Sequence, residues 1–329
     1  MSTPIRWGII GPGYIATQFA RDLRHVPDDA VIAAVASSRP GGADRFMEEF
    51  GVSRVHSSYS DLVADPEIDA VYVATPHTGH HAAALLAIEA GKHVLVEKPV
   101  TVNARQAGEL IDAARAQQVF FMEAMWTRFL PHIAYVHDVI ASGRLGDIKY
   151  LFAEQGLWFD PADEDHRLFD PALGGGALLD LGVYPVSFAL SILGIPETIT
   201  SVADMTERGV DAQTTSVFQY GNGTHAICTT NLLATTRTGA VIAGTKGRIE
   251  IEPRWMTPSN VRVITDDGVV EVRRNDYVGH GLREEAAEVA RCIRSGLKES
   301  PLMPHSFTLL TMRTLDTIRR QIGLSYSDD

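Results

Sequence analysis

The sequence has few cysteines, and their scarcity excludes several kinds of site. Only two, Cys228 and Cys292, occur among 329 residues. Without a cysteine cluster, the chain has neither a disulfide framework nor a cysteine-based zinc site, and the composition suits a reducing cytosol. We therefore expect a cytoplasmic protein.

A net positive charge and long uninterrupted hydrophobic runs are also lacking. The formal net charge of −12 argues against a nucleic acid or an anionic membrane as the main partner, although a local basic pocket for a phosphorylated cofactor remains compatible with it. The start, "MSTPIRWGII", lacks the pattern of a signal peptide. The longest apolar stretch, residues 177–195, is interrupted by Asp180, Tyr184 and Pro185. It therefore indicates a buried helix rather than a membrane span.

The first third of the chain alternates between two hydrophobic periods. Segments such as "IRWGII", "AVIAAVAS", "DAVYVAT" and "HVLVE" are typical of strands, and segments with helical spacing, such as "IATQFARDL" and "HHAAALLAIEA", separate them. Near-continuous Val, Ile and Ala strands between helices imply a parallel sheet covered on both faces. The pattern predicts an N-terminal Rossmann domain, doubly wound and dinucleotide-binding, over residues 1–122.

The pattern changes after about residue 123. Asn-Gly in "YGNGT" and Asp-Gly in "DDGVV" are typical of antiparallel hairpins. The C-terminal segments "EEAAEVARCIRSG" and "TLLTMRTLDTIRRQIG" have the spacing of amphipathic helices. We predict a C-terminal α/β domain over residues 123–329, with an open, mainly antiparallel sheet and helices on one face. The other face needs a cover, and a second copy is the simplest one, so we expect a homodimer through this sheet.

A glycine-rich segment, "GIIGPGYIA", follows the first predicted strand. Its glycines are spaced for a tight turn and close backbone approach, and the helix that opens at about Tyr14 would aim free N–H groups at a pyrophosphate. The context of strand, turn and helix favours a dinucleotide site over a purely structural turn. The predicted cofactor-binding residues of this turn are Gly11, Gly13, Tyr14 and Ile15.

The end of the second predicted strand indicates which dinucleotide binds. An NAD site usually has Asp or Glu here, whereas this chain has Ser37, Ser38 and Arg39. Arginine offers forked donors for a 2′-phosphate, and serines add short hydroxyl groups. The alternative is a solvated arginine at the start of a loop. We predict NADP, with NAD less favoured, and include these three residues among the cofactor contacts.

Several further segments resemble a known family. "VYVATPHTGHH" and "VEKPV", in that order after such a turn, resemble the Gfo/Idh/MocA oxidoreductase family. "EAMWTRFLP" and "GGGALLDLGVYPVSFAL" are similar to its branch of dimeric dihydrodiol dehydrogenases and NADP-dependent xylose dehydrogenases. The resemblance implies that Glu97 and Lys98 lie beside the nicotinamide ribose. It also implies that the dinucleotide lies along Thr75, Pro76, His77 and His80. These histidines lack companions arranged as a ligand set, so we expect no metal site.

Hydride transfer at a carbinol carbon also requires a proton to leave or reach the oxygen. Lys98 ends a predicted strand at the sheet edge where ligands of such folds bind. In "LLDLGVY", Asp180 and Tyr184 are four residues apart, and therefore on one helix face, after three glycines that would leave room for a ligand. Many relatives carry histidine at the Tyr184 position, and this chain departs from them as the dihydrodiol and xylose branch does.

We predict that Tyr184 is the acid/base. The ammonium group of Lys98 would favour its phenolate form, and Glu97 would orient the lysine. The alternatives remain open: Tyr184 could be a core tyrosine with a satisfied hydroxyl group, and Asp180 could cap its helix rather than contact substrate.

Aromatic side chains recur where the second domain would meet a substrate. Flat rings suit the C–H surface of a sugar or an arene diol, although each could equally be core. The predicted substrate contacts are Asp180, Trp126, Trp158 and Phe159, with Trp255 as a further candidate. We interpret the charged run at residues 163–167 as solvated surface.

The leading hypothesis is an NADP-dependent oxidoreductase that transfers a hydride between the nicotinamide and a polyhydroxylated ring. The ring would be an aldopyranose such as xylose or glucose, oxidised to a lactone, or a trans-dihydrodiol. One alternative is an inositol or other sugar-carbon dehydrogenase of the same family. Another is a non-catalytic NADP-binding regulator, against which the presence of both Lys98 and Tyr184 argues.

Overall fold

The chain divides into two compact units. The structure, a computed structural model, describes residues 3–163, 166–327 and 329. One unit contains Met1–Trp126 and Gly279–Leu309, and the other contains Thr127–Val278 and Leu310–Asp329. The sequence analysis instead placed a single boundary after residue 122. The amphipathic pattern of residues 283–294 could not indicate which sheet that helix would cover.

The first unit is built on a six-stranded parallel sheet. Its strands are β1 (Ile5–Ile10), β2 (Ala30–Ala36), β3 (Arg54–His56), β4 (Ala70–Val73), β5 (His93–Glu97) and β6 (Phe121–Ala124). Its helices in this part of the chain are α1 (Tyr14–Leu23), α2 (Asp44–Phe50), α3 (Tyr59–Ala64), α4 (His77–Glu89) and α5 (Ala104–Gln117). The strand order is β3-β2-β1-β4-β5-β6, and every pairing is parallel. The predicted doubly wound sheet is confirmed.

Apolar packing fixes this sheet between its helices. β4 and the last four residues of β1 are buried, as expected when both faces of a parallel sheet are covered. Phe19 of α1 stacks on Tyr72 of β4, with ring centroids 4.0 Å apart, and meets Trp7 of β1 edge-on at 5.5 Å. These contacts hold α1, and with it the glycine turn, against the centre of the sheet.

The second unit contains the predicted open sheet. Its helices are α6 (Pro131–Ala141) and α7 (Val183–Leu193), and its strands are β7 (Ile148–Gly156), β8 (Thr198–Met205), β9 (Asp211–Gln219), β10 (His225–Asn231), β11 (Ala240–Gly244), β12 (Gly247–Ile251), β13 (Val261–Thr265) and β14 (Val270–Arg273). The chain continues into α8 (Arg283–Arg294), in the first unit, and α9 (His305–Ile322). The strand order is β14-β13-β12-β11-β7-β10-β9-β8. The predicted Asn-Gly and Asp-Gly hairpins join β9 to β10 and β13 to β14.

The two faces of this sheet differ in burial. Leu151, Ala153, Ala226 and Cys228 are buried, and the Sγ of Cys228 donates to the Pro185 carbonyl of α7. The alternate positions along the same strands are half-buried or exposed. This period of two is the one expected of a sheet covered on a single face. Among the neighbouring strands, β7 and β10 form a parallel pair, so the sheet is mainly rather than wholly antiparallel.

One helical segment within the described ranges, Pro171–Leu193, is long and apolar enough to cross a membrane, with a mean hydropathy of 1.6. In the structure, 83% of its most apolar 18-residue stretch is buried. A core helix has these properties as well, which agrees with the interpretation given from the sequence.

Candidate active site

The glycine turn follows β1 at the carboxyl edge of the parallel sheet. Gly11 has φ +82°, and a Cβ there would lie 2.8 Å from the Ala74 carbonyl oxygen. At Gly13, in contrast, no described atom beyond its chain neighbours lies within 4 Å of the Cβ position. The first N–H groups of a helix have no partner within the helix. The turn therefore leaves the N-terminus of α1 open to an anion, which fits a pyrophosphate.

The residues predicted to select NADP lie just beyond β2. The Oγ of Ser37 accepts a hydrogen bond from the backbone N–H of Arg39 at 3.1 Å, which fixes this short turn. Ser38 and Arg39 are exposed. An exposed guanidinium group next to the carboxyl end of β2 fits a 2′-phosphate, and the contact itself stays a prediction.

His80 ties the ends of two strands together. Its Nδ1 lies 2.9 Å from the Pro99 carbonyl oxygen and its Nε2 lies 2.9 Å from the Thr75 carbonyl oxygen. The carbonyl groups favour a protonated ring, but burial, assisted by His77, lowers the pKa of His80 to about 3. The ring is therefore neutral at pH 7 and donates to one carbonyl. Because both nitrogens face the backbone, His80 holds the ends of β4 and β5 together, and its contact with the dinucleotide stays a prediction.

Thr75 and Pro76 lead into α4, whose first residue is His77. The hydroxyl group of Thr75 is buried and has no hydrogen-bond partner among the described residues. His77 is also buried, 4% exposed. These residues lie at the carboxyl end of β4, the edge on which the glycine turn opens, as the predicted dinucleotide contacts require.

A buried carboxylate precedes Lys98 at the end of β5. The Glu97 carboxylate, 4% exposed, accepts hydrogen bonds from the Tyr72 hydroxyl group and from the backbone N–H of Lys98. The Lys98–Pro99 peptide bond is cis. Because parallel strands present their carboxyl ends at one edge, Lys98 leaves the sheet on the same edge as the glycine turn.

Two further buried carboxyl groups surround this strand end, and the sequence analysis missed both. Burial raises the pKa of Glu123 to about 7, although its Oε1 accepts the Val100 N–H at 3.2 Å. Burial, with the charge of Glu97 next in importance, raises the pKa of Glu285 on α8 well above its ordinary value. The motif "VEKPV" therefore ends in a cluster of carboxyl groups that compete for ionisation.

Asp180 and Tyr184 lie in one buried segment of the second unit. Asp180 lies in a π-helical turn, Leu178–Gly182, and Tyr184 lies in the first turn of α7. The side-chain spacing was predicted from α-helical geometry, whereas a π-helical turn holds more residues. Such turns are frequent at functional sites. The two residues are 6% and 7% exposed, respectively.

Asp180 forms an ion pair with Arg167, whose Nη2 lies 3.0 Å from the Asp180 Oδ1. Arg167 is exposed, as expected of solvated surface, and it also pairs with this buried carboxylate. Glu164 and Asp165 of that run lie outside the described residues.

Two of the three glycines before the Asp180 and Tyr184 segment, Gly175 and Gly176, do not leave room for a ligand, which corrects the prediction at these positions. A Cβ on Gly175 would lie 2.6 Å from the Leu168 carbonyl oxygen, and one on Gly176, at φ +112°, would lie 2.3 Å from the Asp211 Oδ1. These glycines permit close packing of backbone on backbone.

Asp211 of β9 anchors this segment, and the sequence analysis did not single it out. Its Oδ2 accepts the Leu178 N–H at 2.8 Å and the Thr214 hydroxyl group at 2.7 Å. Burial raises the pKa of Asp211 to about 7. Asp211 therefore holds the start of the π-helical turn that carries Asp180.

The predicted aromatic contacts lie in different surroundings. Trp126, 4% exposed, belongs to the first unit and stacks on His280. Trp158 is 59% exposed. Phe159 is half-buried against a cluster that includes Leu168 and Phe169. Trp255 is fully buried, donates its indole N–H to the Glu154 carbonyl and packs on Phe188, so it is a core residue.

A cavity of about 540 Å³ also lies in the first unit, lined by Arg6, Asp69, Lys92 and His93 among others. These residues lie at the amino ends of β1, β4 and β5. Ligands of open parallel sheets bind at the carboxyl ends, so this cavity is distinct from the dinucleotide edge.

Comparison with known families gives one match in the N-terminal part of the chain and another in the part that follows. Residues 5–125 match the model of the GFO/IDH/MocA oxidoreductase family with its NAD-binding Rossmann fold, and residues 133–250 match the C-terminal domain of the same family. Similar curated proteins include trans-1,2-dihydrobenzene-1,2-diol dehydrogenase of Bos taurus, 35% identical over 335 residues, and that of Homo sapiens, 35% identical over 336 residues. Each comparison covers 99% of this chain and 99% of the relative.

Solved structures share the fold over almost the whole chain. The 3-ketoreductase KijD10 of Actinomadura kijaniata, solved with NADP and TDP-benzene, is 28% identical with a TM-score of 0.87, and 98% of this chain and 99% of that chain are covered. A levoglucosan dehydrogenase solved with NADH and levoglucosan has a TM-score of 0.87 at 21% identity, with 98% of both chains covered, which supports the fold alone.

Proposed function

Because the chain belongs to the Gfo/Idh/MocA oxidoreductase family, we propose that it oxidises one hydroxyl group of a polyhydroxylated ring with NADP. It is an NAD(P)-dependent dehydrogenase that acts on hydroxyl groups, as the sequence analysis expected. The finer proposal concerns the ring, either a trans-dihydrodiol or an aldopyranose. One observation carries the proposed function. The glycine turn, open at Gly13, and Lys98, which follows the buried Glu97, lie at the same edge of the parallel sheet.

A bound nicotinamide dinucleotide would supply the hydride acceptor, and the side chains must handle the proton and the orientation. The N-terminus of α1 would bind the pyrophosphate, and Arg39 the 2′-phosphate. Tyr184 would take the proton from the substrate hydroxyl group, and the charge of Lys98 would favour the phenolate that does so. Glu97, which accepts the Lys98 N–H, would hold the backbone of the lysine in place.

Two findings on relatives support these roles. The dihydrodiol dehydrogenases, at 35% identity, are similar over 99% of the chain. Structures of the 3-ketoreductase with NADP and TDP-benzene include one variant in which a tyrosine is changed to phenylalanine and another in which a lysine is changed to alanine. In this chain we propose that Tyr184 and Lys98 act together in the reaction.

The substrate class is tested with the purified full chain, either NADP or NAD, and a panel of trans-1,2-dihydrobenzene-1,2-diol, xylose, glucose and myo-inositol. Formation of reduced nicotinamide is followed by its near-ultraviolet absorbance. We expect turnover of the diol or of an aldopyranose, with NADP preferred. Turnover of inositol alone would support a sugar-carbon dehydrogenase. Tight NADP binding without turnover of any compound would favour the regulator.

The residue roles are tested with Tyr184→Phe, which removes only the hydroxyl group. We expect kcat to fall about 10²- to 10⁴-fold, the usual contribution of general acid–base catalysis, with little change in KM. Tyr220→Phe is the matched control, because the Tyr220 hydroxyl group donates to the Gly194 carbonyl elsewhere in the same unit. Equal kcat values for Tyr184→Phe and the wild type would remove the acid/base assignment.

We also propose that two copies pair through the open face of the eight-stranded sheet. Val202 is 68% exposed and Tyr150 is 38% exposed, and Phe152, Val217 and Ile227 are half-buried. Apolar side chains in such numbers on one sheet face favour a protein partner. Light scattering at micromolar concentration should give the mass of a dimer, and Ile227→Lys should give a monomer. A monomeric wild type would rule out this pairing.

A further inference from the structure

A glycine-flanked histidine in the first unit has no role in the mechanism described above. His280 lies between Gly279 and Gly281, at φ +114° and +116°. The carboxylate of Asp22, 2% exposed, accepts the backbone N–H groups of His280 at 2.8 Å, Gly281 at 2.7 Å and Leu282 at 2.8 Å. A Cβ on Gly279 would lie 2.7 Å from the same carboxylate. The sequence and the anchor together impose one conformation on this loop.

That conformation places the His280 ring along the dinucleotide edge of the sheet. The ring stacks on Trp126, with centroids 5.5 Å apart and 26° between the planes. It also meets Tyr14 edge-on at 6.5 Å. Tyr14 is the first residue of α1, directly after the glycine turn, and Trp126 follows β6 at the carboxyl end of the last strand. The imidazole therefore lies between the carboxyl ends of β1 and β6, on the edge at which dinucleotides bind.

The chemistry of the imidazole suits an anion at this place. A histidine ring carries at least one N–H donor in either neutral form. A chain with net charge −12 needs local donors to hold a polyanionic dinucleotide. Tyr14 itself is 73% exposed, so the ring contact with His280 lies at an accessible surface rather than in the core.

We propose that His280 is a cofactor-binding residue that donates a ring N–H to the pyrophosphate of the bound dinucleotide. The inference rests on the proposed function, since it requires a dinucleotide at this edge. It adds a contact from a loop far along the chain to those of the glycine turn. It also gives Asp22 a positioning role, because that carboxylate fixes the backbone from which the ring projects.

The test measures ligand binding to the apo full chain by calorimetry, independently of turnover. His280→Ala and His280→Phe should each raise the Kd for NADP about tenfold, the loss expected for one hydrogen bond to a charged oxygen. His280→Gln keeps an N–H donor and should recover most of the affinity. Adenosine 2′-monophosphate lacks the pyrophosphate, so its Kd should be the same for all variants. His25→Ala, an exposed histidine of the same unit, is the matched control.

Four outcomes would contradict the role proposed for His280, three from its variants and one from the wild type. NADP binding by His280→Phe at wild-type affinity would mean that the ring only packs. Unchanged binding by His280→Ala would remove any role. Equal weakening for NADP and adenosine 2′-monophosphate would indicate a disturbed fold. In each of these cases a wild type that binds NADP and turns over a ring substrate leaves the proposed function intact. A wild type that binds neither NADP nor NAD would overturn both proposals.

Discussion

Replacing Asp211 by asparagine should change how the stability of the protein depends on pH. The Oδ2 of Asp211 accepts both the Leu178 N–H and the Thr214 hydroxyl group. Because both partners donate to one oxygen, an asparagine carbonyl oxygen can keep both hydrogen bonds. The substitution therefore removes the titration of the group while leaving its role as an anchor.

The sign of the effect follows from the pKa shift. Burial raises the pKa of Asp211 from 3.8 to about 7. Between these values the native carboxyl group binds a proton that the unfolded chain has released, so stability falls as pH rises. Each pH unit within this window changes the free energy of unfolding by about 1.4 kcal/mol. From about pH 5 to about pH 7, the wild type should therefore lose about 2 kcal/mol through this group.

The assay is urea unfolding of the wild type and Asp211→Asn at several pH values across this window. Buried histidines such as His80 titrate in both proteins, so their contributions cancel when the two free energies are subtracted. We expect the variant to gain about 2 kcal/mol relative to the wild type between about pH 5 and about pH 7. Asp112→Asn, at a carboxylate that is 81% exposed, should show no such gain. A difference between wild type and Asp211→Asn that is constant with pH would refute the reasoning.

Three further substitutions have defined outcomes. Arg39→Asp should weaken NADP binding far more than NAD binding, and equal losses in calorimetry would remove the 2′-phosphate assignment. Trp255→Phe removes the indole N–H that the part-buried Glu154 carbonyl accepts. It should lower the free energy of unfolding by about 1–3 kcal/mol in urea titrations, whereas no change would contradict its place in the core. Arg167→Gln should lower that free energy by less than about 1 kcal/mol, because the arginine is 44% exposed, and a much larger loss would mean that the ion pair holds the fold.

The N-terminal part of the first unit could be predicted from its sequence because its signals are local. Strand and helix periods alternate over short distances, and the glycine turn, the start of α1 at Tyr14 and the lysine after β5 each depend on a few adjacent residues. The family resemblance rests on such local motifs as well, and it is confirmed by matches over residues 5–125 and 133–250.

Contacts between distant segments could not be predicted in the same way. The run that contains Arg167 has the composition of a solvated loop, yet that arginine pairs with a buried carboxylate 13 residues further on. His80 belongs to a motif associated with the cofactor, yet both of its ring nitrogens lie within hydrogen-bond distance of backbone carbonyl groups, those of Thr75 and Pro99. In both cases the residue type was informative, and the partner depended on folding that no short pattern encodes.

Asp22 and Asp211 illustrate how such distant contacts fix the loop that carries His280 and the turn that carries Asp180. Each is a buried carboxyl group that accepts a backbone N–H at the start of a segment, across 258 residues for Asp22 and His280 and across 33 for Asp211 and Leu178. A glycine pattern indicates where the backbone can bend, but a glycine segment can adopt many bent conformations. A buried carboxyl group that accepts several hydrogen bonds at once selects one of these bent conformations, since any other conformation would leave its oxygen atoms buried without donors. The loop with the proposed pyrophosphate donor and the turn with Asp180 are therefore fixed by residues that need not touch any ligand themselves.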